Sequence, residues 1–280
     1  MIIEAPTITT PEPGAHKAVP FDVYRTWKAL NHSVMEAAHE RSPAHAKLAM
    51  DTPKEQTDAM AIGTAMHLLI LEPDEYAKRS RIMPEINARS STERAARAAM
   101  IASEPSDCIW LTKEDDWALT EMQKNVRANG LARKISGSTG DRELSILSER
   151  SGVPVKCRVD KVCPGVALVD LKTTRDASAR FFERDAVNRG YHRQAAWYLE
   201  IWERLTGEKL PYVIIAVEND APYGVNTFSL HESLIECGKR QNDELFAAIE
   251  PCWKSGVWPS YPERLNEIIA PEWMVKGLGI

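Results

Sequence analysis

The sequence predicts an α/β domain with a mixed central sheet flanked by helices. Three observations predict it. Helical patterns dominate residues 21 to about 132 apart from a mixed stretch over 80–110, three strand-like runs follow back to back over residues 143–172, and helices and strands alternate from there to about residue 253.

Residues 1–19 are rich in Pro and Thr and read as an extended or disordered arm. Phe21 to Met50 is helical in pattern, with a break at Ser42-Pro43, where Pro43 suits the first turn of a new helix. Thr57 to Leu71 forms the next helix, with Ala61, Ala65, Leu68 and Leu69 on its core face and Pro73 as its stop. The run Ser90 to Ser103 opens with Ser-x-x-Glu and reads as a helix. Thr112 caps another that runs to about Ala132, with Trp117, Leu119, Met122 and Val126 along one face.

The texture then changes. Glu143–Glu149, Val153–Val162 and Val166–Lys172 read as three consecutive strands, with turns at Ser151-Gly152 and Pro164-Gly165. In the middle strand Val153, Val155, Cys157 and Val159 point one way, while Lys156, Arg158 and Asp160 point the other. The third begins Val166-Ala167-Leu168-Val169, apolar on both faces as a covered central strand should be. Helices are expected over Ala177–Asn188, Tyr191–Thr206 and Leu230–Trp253, and strands over Pro211–Val217 and Gly224–Ser229. The expected organisation is an arm (1–19), one domain (20–255) and a tail (256–280).

Composition narrows the function classes. Hydrophobic residues make up 44% and charged residues 27% of 280, as in a soluble globular protein. The net charge of −5 argues against a nucleic-acid-coating protein, which would be basic overall, and allows an enzyme with a local basic track. Five cysteines without a CxxC pair argue against a disulfide scaffold, a zinc knuckle or a cysteine-held iron–sulfur cluster. With no signal-peptide pattern and no membrane-length apolar run, the protein is expected to be soluble and cytoplasmic.

The chemistry centres on Asp160, Asp170 and Lys172. Strand alternation puts Asp170 and Lys172 on one face, and Asp160 lies near the end of the neighbouring strand. Two carboxylates and an ammonium suit a small divalent-ion site for phosphodiester hydrolysis: the ion activates water, and the lysine positions that water, lowers its pKa or stabilises developing charge. An ordinary Asp–Lys pair at strand ends is the plainer alternative. His67, in GTAMHLLILEP, is a helix residue or a metal ligand. Gln194 and Tyr198 share a helix face one turn beyond Tyr191; they are core-edge residues or part of the site. Lys172 to Arg193 holds six basic residues, among them Arg175, Arg180 and Arg193, against three acids. Such a stretch is a solvated face or a phosphate track.

Taken in order, GTAMH (63–67), Glu143, CRVD (157–160), VDLKTT (169–174) and YHRQAAWY (191–198) resemble the PD-(D/E)XK nucleases. More narrowly they resemble the RecB-like branch and its RecE-type, exonuclease VIII-like phage and prophage exonucleases. SPAH (42–45) and LEPDEY (71–76) add to the likeness, which spans roughly residues 20–255. The resemblance implies a restriction-endonuclease-like core with helical N-terminal additions. It implies a magnesium ion, replaceable by manganese, held by His67, Asp160, Asp170 and the Leu171 carbonyl. Lys172 would be the catalytic lysine, Gln194 and Tyr198 the Gln-x-x-x-Tyr element, and Glu143 an aid to a second metal or its waters. Ser33 and Arg25 would meet the 5′ phosphate, and Tyr191 with the arginines would meet the DNA backbone. The expected activity is 5′→3′ exonucleolysis of double-stranded DNA in the cytoplasm of a bacterial host cell, by a homo-oligomeric ring working with a single-strand-annealing protein. Alternatives are a nuclease of the same fold with another polarity or substrate, such as single-stranded or branched DNA, and an inactive binding module. Val159 stands where the family name has Pro, and Asp170 where many relatives carry Glu.

Overall fold

The computed structural model describes residues 10–52, 57–87 and 89–275. A short strand β1 (Gly14–His16) precedes helices α1 (Phe21–Thr26), α2 (His32–Glu40), α3 (Pro43–Asp51), α4 (Asp58–Leu71) and α5 (Pro73–Arg79). Next come β2 (Ser80–Ile82), α6 (Ser91–Ser103), β3 (Ile109–Leu111), α7 (Lys113–Ala128) and α8 (Gly130–Ser136). The central run is β4 (Asp141–Arg150), β5 (Val153–Cys163) and β6 (Ala167–Thr174), followed by α9 (Ala179–Asn188) and α10 (Tyr191–Thr206). Strands β7 (Tyr212–Glu218) and β8 (Val225–Ser229), helix α11 (Glu232–Ser255) and the short α12 (Glu272–Val275) complete the chain. Among the described residues no helix is long and apolar enough to cross a membrane.

The six-stranded sheet has the order β1-β4-β5-β6-β7-β8. Only β6 and β7 run parallel; the other neighbours are antiparallel. The β6-to-β7 connection carries α9 and α10, as a parallel crossover requires. Side chains alternate cleanly in β7: Tyr212, Ile214 and Ala216 enter one core, Ile215 and Val217 the other. The first core packs under α2, α9, α10 and α11, with Met35, Phe182, Trp197, Ile201 and Phe246 buried in it. The second lies under α4 and α7, where Met66, Leu68, Leu119, Met122 and Val126 pack on Val169 and Leu171.

Several elements depart from the sequence expectation. The arm is tied down over residues 14–16, because β1 adds an antiparallel edge to β4; residues 1–9 lie outside the described part. Pro73 does more than stop α4, since it occupies the first turn of α5. Helix α7 stops at Ala128, because the Asn129 side chain accepts from Leu131 N and Ala132 N and so starts α8. Trp117 lies outside the core, 59% exposed, against Tyr223. The short parallel pair β2–β3 has too little alternation to be read from sequence.

Candidate active site

Strands β5 and β6 pair over only three positions, Lys161 with Val169, Val162 with Leu168 and Cys163 with Ala167. The next pair in register is Asp160 with Asp170, and there the strands part. Asp160 Oδ2 accepts the Leu171 backbone N–H at 2.7 Å, taking the place of a backbone acceptor. Above the split, Leu30 bonds across to Pro154 and Lys156, and the Trp197 indole donates to the Lys156 carbonyl. The free edge of β5 is thereby satisfied.

On the other side of β5, the β4 ladder passes from Arg142–Lys161 to Leu144–Val159 and leaves Glu143 opposite Asp160 without a pair. Glu143 has φ +47°, a left-handed conformation costing a non-glycine residue roughly 1–2 kcal/mol. Three adjacent strands thus bring Glu143, Asp160 and Asp170 to one level of the sheet.

His67 reaches this level from α4, which Ala65, Met66 and Leu68 anchor in the second core. Its Nε2 lies 2.7 Å from the Leu171 carbonyl oxygen. Its Nδ1 is 3.6 Å from Asp160 Oδ2 and 3.7 Å from Glu143 Oε1. One potential ligand atom each from His67, Glu143 and Asp160 lies within 4.8 Å of the others. Two carboxylates, an imidazole and a nearby backbone carbonyl are a donor set that fits a divalent ion.

Among the described residues the side chains grouped at that spacing are His67, Glu143 and Asp160, and Asp170, the other expected ligand, stands beside Asp160 in register. The Asp170 face of β6 looks toward α10, and its carboxylate is held there. Oδ1 accepts Gln194 Nε2 at 3.1 Å and Oδ2 pairs with Lys172 Nζ at 2.7 Å. The Lys172 ammonium also sits 5.1 Å from the centre of the Tyr191 ring.

Charges crowd this small volume. Burial raises the Asp160 carboxyl to about 7, with Asp170 and Glu143 adding to the rise. Burial would lower the His67 imidazole, but Asp160 and Glu143 outweigh it and carry it to about 9. Burial likewise opposes the Lys172 ammonium, yet Asp170 and Asp160 prevail and hold it above its ordinary value. Lys172 is therefore a cation here, fitted to stabilise negative charge rather than to take a proton. Burial pushes the Tyr198 and Tyr212 phenols well up, and Asp170 adds to both.

Other expected residues are distributed unevenly. Tyr198 packs edge-on against Tyr212 at 6.4 Å between ring centres. Ser33, Arg175 and Arg180 are exposed. Arg25 is half-buried, with its guanidinium 5.7 Å from the Phe21 ring centre. Arg193 faces inward instead of toward solvent; its side chain is 8% exposed, and its Nε and Nη2 both donate to the Glu36 carboxylate. Two neighbours of the site escaped sequence reading. Arg158 donates to Glu143 Oε2 at 2.8 Å and to the Val19 carbonyl at 2.7 Å, fixing the strained acid from behind. Its placement on the same strand face as Asp160 was the available signal. Tyr212 opens β7 on the face shared with Asp170, a position its strand alternation marks.

Comparison with known proteins agrees with this geometry. A search of curated proteins finds no match. The crystal structure of a protein from Eubacterium rectale, described as a candidate exonuclease, superposes with a TM-score of 0.63 at 14% identity, covering 95% of this chain and 100% of that one. A second crystal structure, named SSO0001, aligns over 76% of this chain and 83% of its own at 12% identity, with a TM-score of 0.27. The family described as a PDDEXK-like domain of unknown function (DUF3799) matches residues 31–271. The split strand pair, the acids at its mouth and this match over most of the chain place the protein in the PDDEXK-like family, with a restriction-endonuclease-like fold.

Proposed function

We propose that this protein is a metal-dependent deoxyribonuclease, a 5′→3′ exonuclease on double-stranded DNA of the RecE type, serving phage or prophage recombination. The observation that carries the reading is the convergence of His67, Glu143, Asp160 and the Leu171 carbonyl beside the Asp170–Lys172 pair. In this reading His67, Asp160, Asp170 and the Leu171 carbonyl would hold a magnesium ion, for which manganese substitutes, and Glu143 would aid a second metal or its waters. When bound, such an ion polarises the scissile phosphate and lowers the pKa of water.

The chain's own residues do the rest. Lys172 stays protonated and stabilises charge on the phosphate. Gln194 fixes Asp170, Tyr191 covers Lys172, and Tyr198 packs edge-on against Tyr212 beside Asp170. Ser33 and Arg25 meet the 5′ phosphate, and Arg175 and Arg180 meet the DNA backbone. A homo-oligomeric ring around the duplex, with a single-strand-annealing protein as partner in the bacterial cytoplasm, completes the proposal. A ring with a basic channel reconciles DNA binding with a net charge of −5.

The test is digestion of duplexes labelled at either end, with and without a 5′ phosphate, in magnesium. The reading expects nucleotides to leave first from the phosphorylated 5′ end. Release from the 3′ end first would sink the polarity, and no magnesium-dependent loss of DNA would sink the activity.

A further inference from the structure

Arg193 stands between two residues of the site, Tyr191 and Gln194, yet points away from it. Its Nε and Nη2 donate to Glu36 of α2 at 2.6 and 2.7 Å, and its Nη1 donates to Gln241 of α11 at 3.1 Å. The Asn242 side chain donates to the Arg193 carbonyl at 2.9 Å. Three helices therefore meet on this one residue.

The surrounding backbone is shaped to allow the contact. Gly190 caps α10 at φ +68°, and a Cβ there would lie 2.5 Å from Arg193 Nη2 and 2.7 Å from Glu36 Oε2. At Gly238 of α11 a Cβ would lie 2.2 Å from the His192 carbonyl oxygen. Both glycines let α2 and α11 close on the first turn of α10. That turn carries the Tyr191 ring over Lys172 and sends Gln194 Nε2 to Asp170 Oδ1 at 3.1 Å.

A buried ion pair is a poor source of stability, because apolar residues of similar size often serve as well or better. A bidentate Arg–carboxylate contact does, however, fix direction as well as distance. We propose that the Arg193–Glu36 pair is a positioning clamp that sets the register of α10 against β6, so that Gln194 and Tyr191 engage Asp170 and Lys172. Its kinetic consequence rests on the nuclease reading above; its geometry does not.

The experiment compares Arg193→Lys and the apolar pair Arg193→Met with Glu36→Leu against the parent protein. Thermal melts, kcat and KM on duplex DNA, and crystal structures of the variants are measured. The clamp predicts that the apolar pair melts at or above the parent temperature while kcat falls about 100-fold with KM little changed. It predicts that Arg193→Lys, which keeps the charge but loses the bidentate contact, falls between the two. The crystal structures should show Gln194 displaced from Asp170. A folded apolar pair with parent kcat and an intact Gln194–Asp170 contact overturns the proposal. If the apolar pair does not fold, Arg193→Lys decides: parent kcat and an unchanged contact overturn the clamp. If the parent cleaves no DNA, the nuclease reading fails, and the Gln194–Asp170 distance in the variants still decides the clamp.

Discussion

Two lysines, Lys156 buried and Lys172 half-buried, lie beside the same sheet in opposite surroundings. Lys156 of β5 donates to three backbone carbonyls, those of Tyr24, Arg25 and Trp27, at 2.9, 3.3 and 2.6 Å. Lys172 of β6 faces carboxylates and the Tyr191 ring. Burial lowers Lys156 to about 8, whereas Asp170 and Asp160 raise Lys172 despite its burial. The first lysine closes off the carbonyls at the end of α1, where each donor finds an acceptor and nothing is left to react. The second belongs to a cluster in which carboxylates are packed closer than their mutual repulsion favours. Saturated polar groups mark structure, and crowded like charges mark a site built to receive something.

The largest effect should come from breaking the second environment. Lys172→Ala should lower kcat per folded molecule by about 100- to 1000-fold, measured on duplex DNA in magnesium. Breaking the first should do the reverse. Lys156→Met strands three buried carbonyls and should cost roughly 3 kcal/mol in denaturant unfolding, with activity per folded molecule retained. A common response of both variants would erase the distinction between the two lysines.

Protonation sharpens the same contrast. Asp160 is raised to about 7 in the folded state, above its ordinary 3.8, so the metal-free fold binds this proton more tightly than the unfolded chain. Between those values its contribution to stability falls as pH rises, and above 7 the full penalty remains. His67, raised from 6.5 to about 9, acts in the same sense: its stabilisation is complete below 6.5 and lost as pH climbs through 9. Asp160→Asn keeps an acceptor for Leu171 N–H and removes the charge. At pH 8 without metal it should melt a few degrees above the parent while losing nuclease activity. A lower melting temperature would contradict the picture of a site held at a cost to the fold.

The smallest effect is thermodynamic. Binding of manganese, followed by calorimetry in buffers of different ionisation enthalpy, should release protons, and affinity should rise from pH 6 to pH 9 as Asp160 and His67 lose theirs. An affinity independent of pH would mean that neither group meets the ion.

Much of this was legible in the sequence, for local reasons. Strand alternation put Asp170 and Lys172 on one face, and the ion pair between them follows from that spacing. The apolar run on both faces of β6 marked a covered central strand. What escaped depended on distance and backbone shape. Residue type gave no hint that Glu143 would take a positive φ and turn toward His67. Arg193 belonged to a run of basic residues that looked like a solvated face, but its partner Glu36 is 157 positions away in the chain. Lys156 alternates with Arg158 and Asp160 and read as outward-facing; packing of α1 over β5 buries it. Local periodicity carries the elements, while long-range pairing decides which charges are spent on structure and which remain for chemistry.

The central claim is that the split between β5 and β6 is a divalent-ion site. Crystals soaked in manganese, measured for anomalous scattering, test it most directly. One strong peak is expected within bonding distance of His67, Asp160 and the Leu171 carbonyl oxygen, with Lys172 close to the waters around it. A peak elsewhere, or none in crystals whose Asp160 and His67 are accessible and deprotonated, would contradict it.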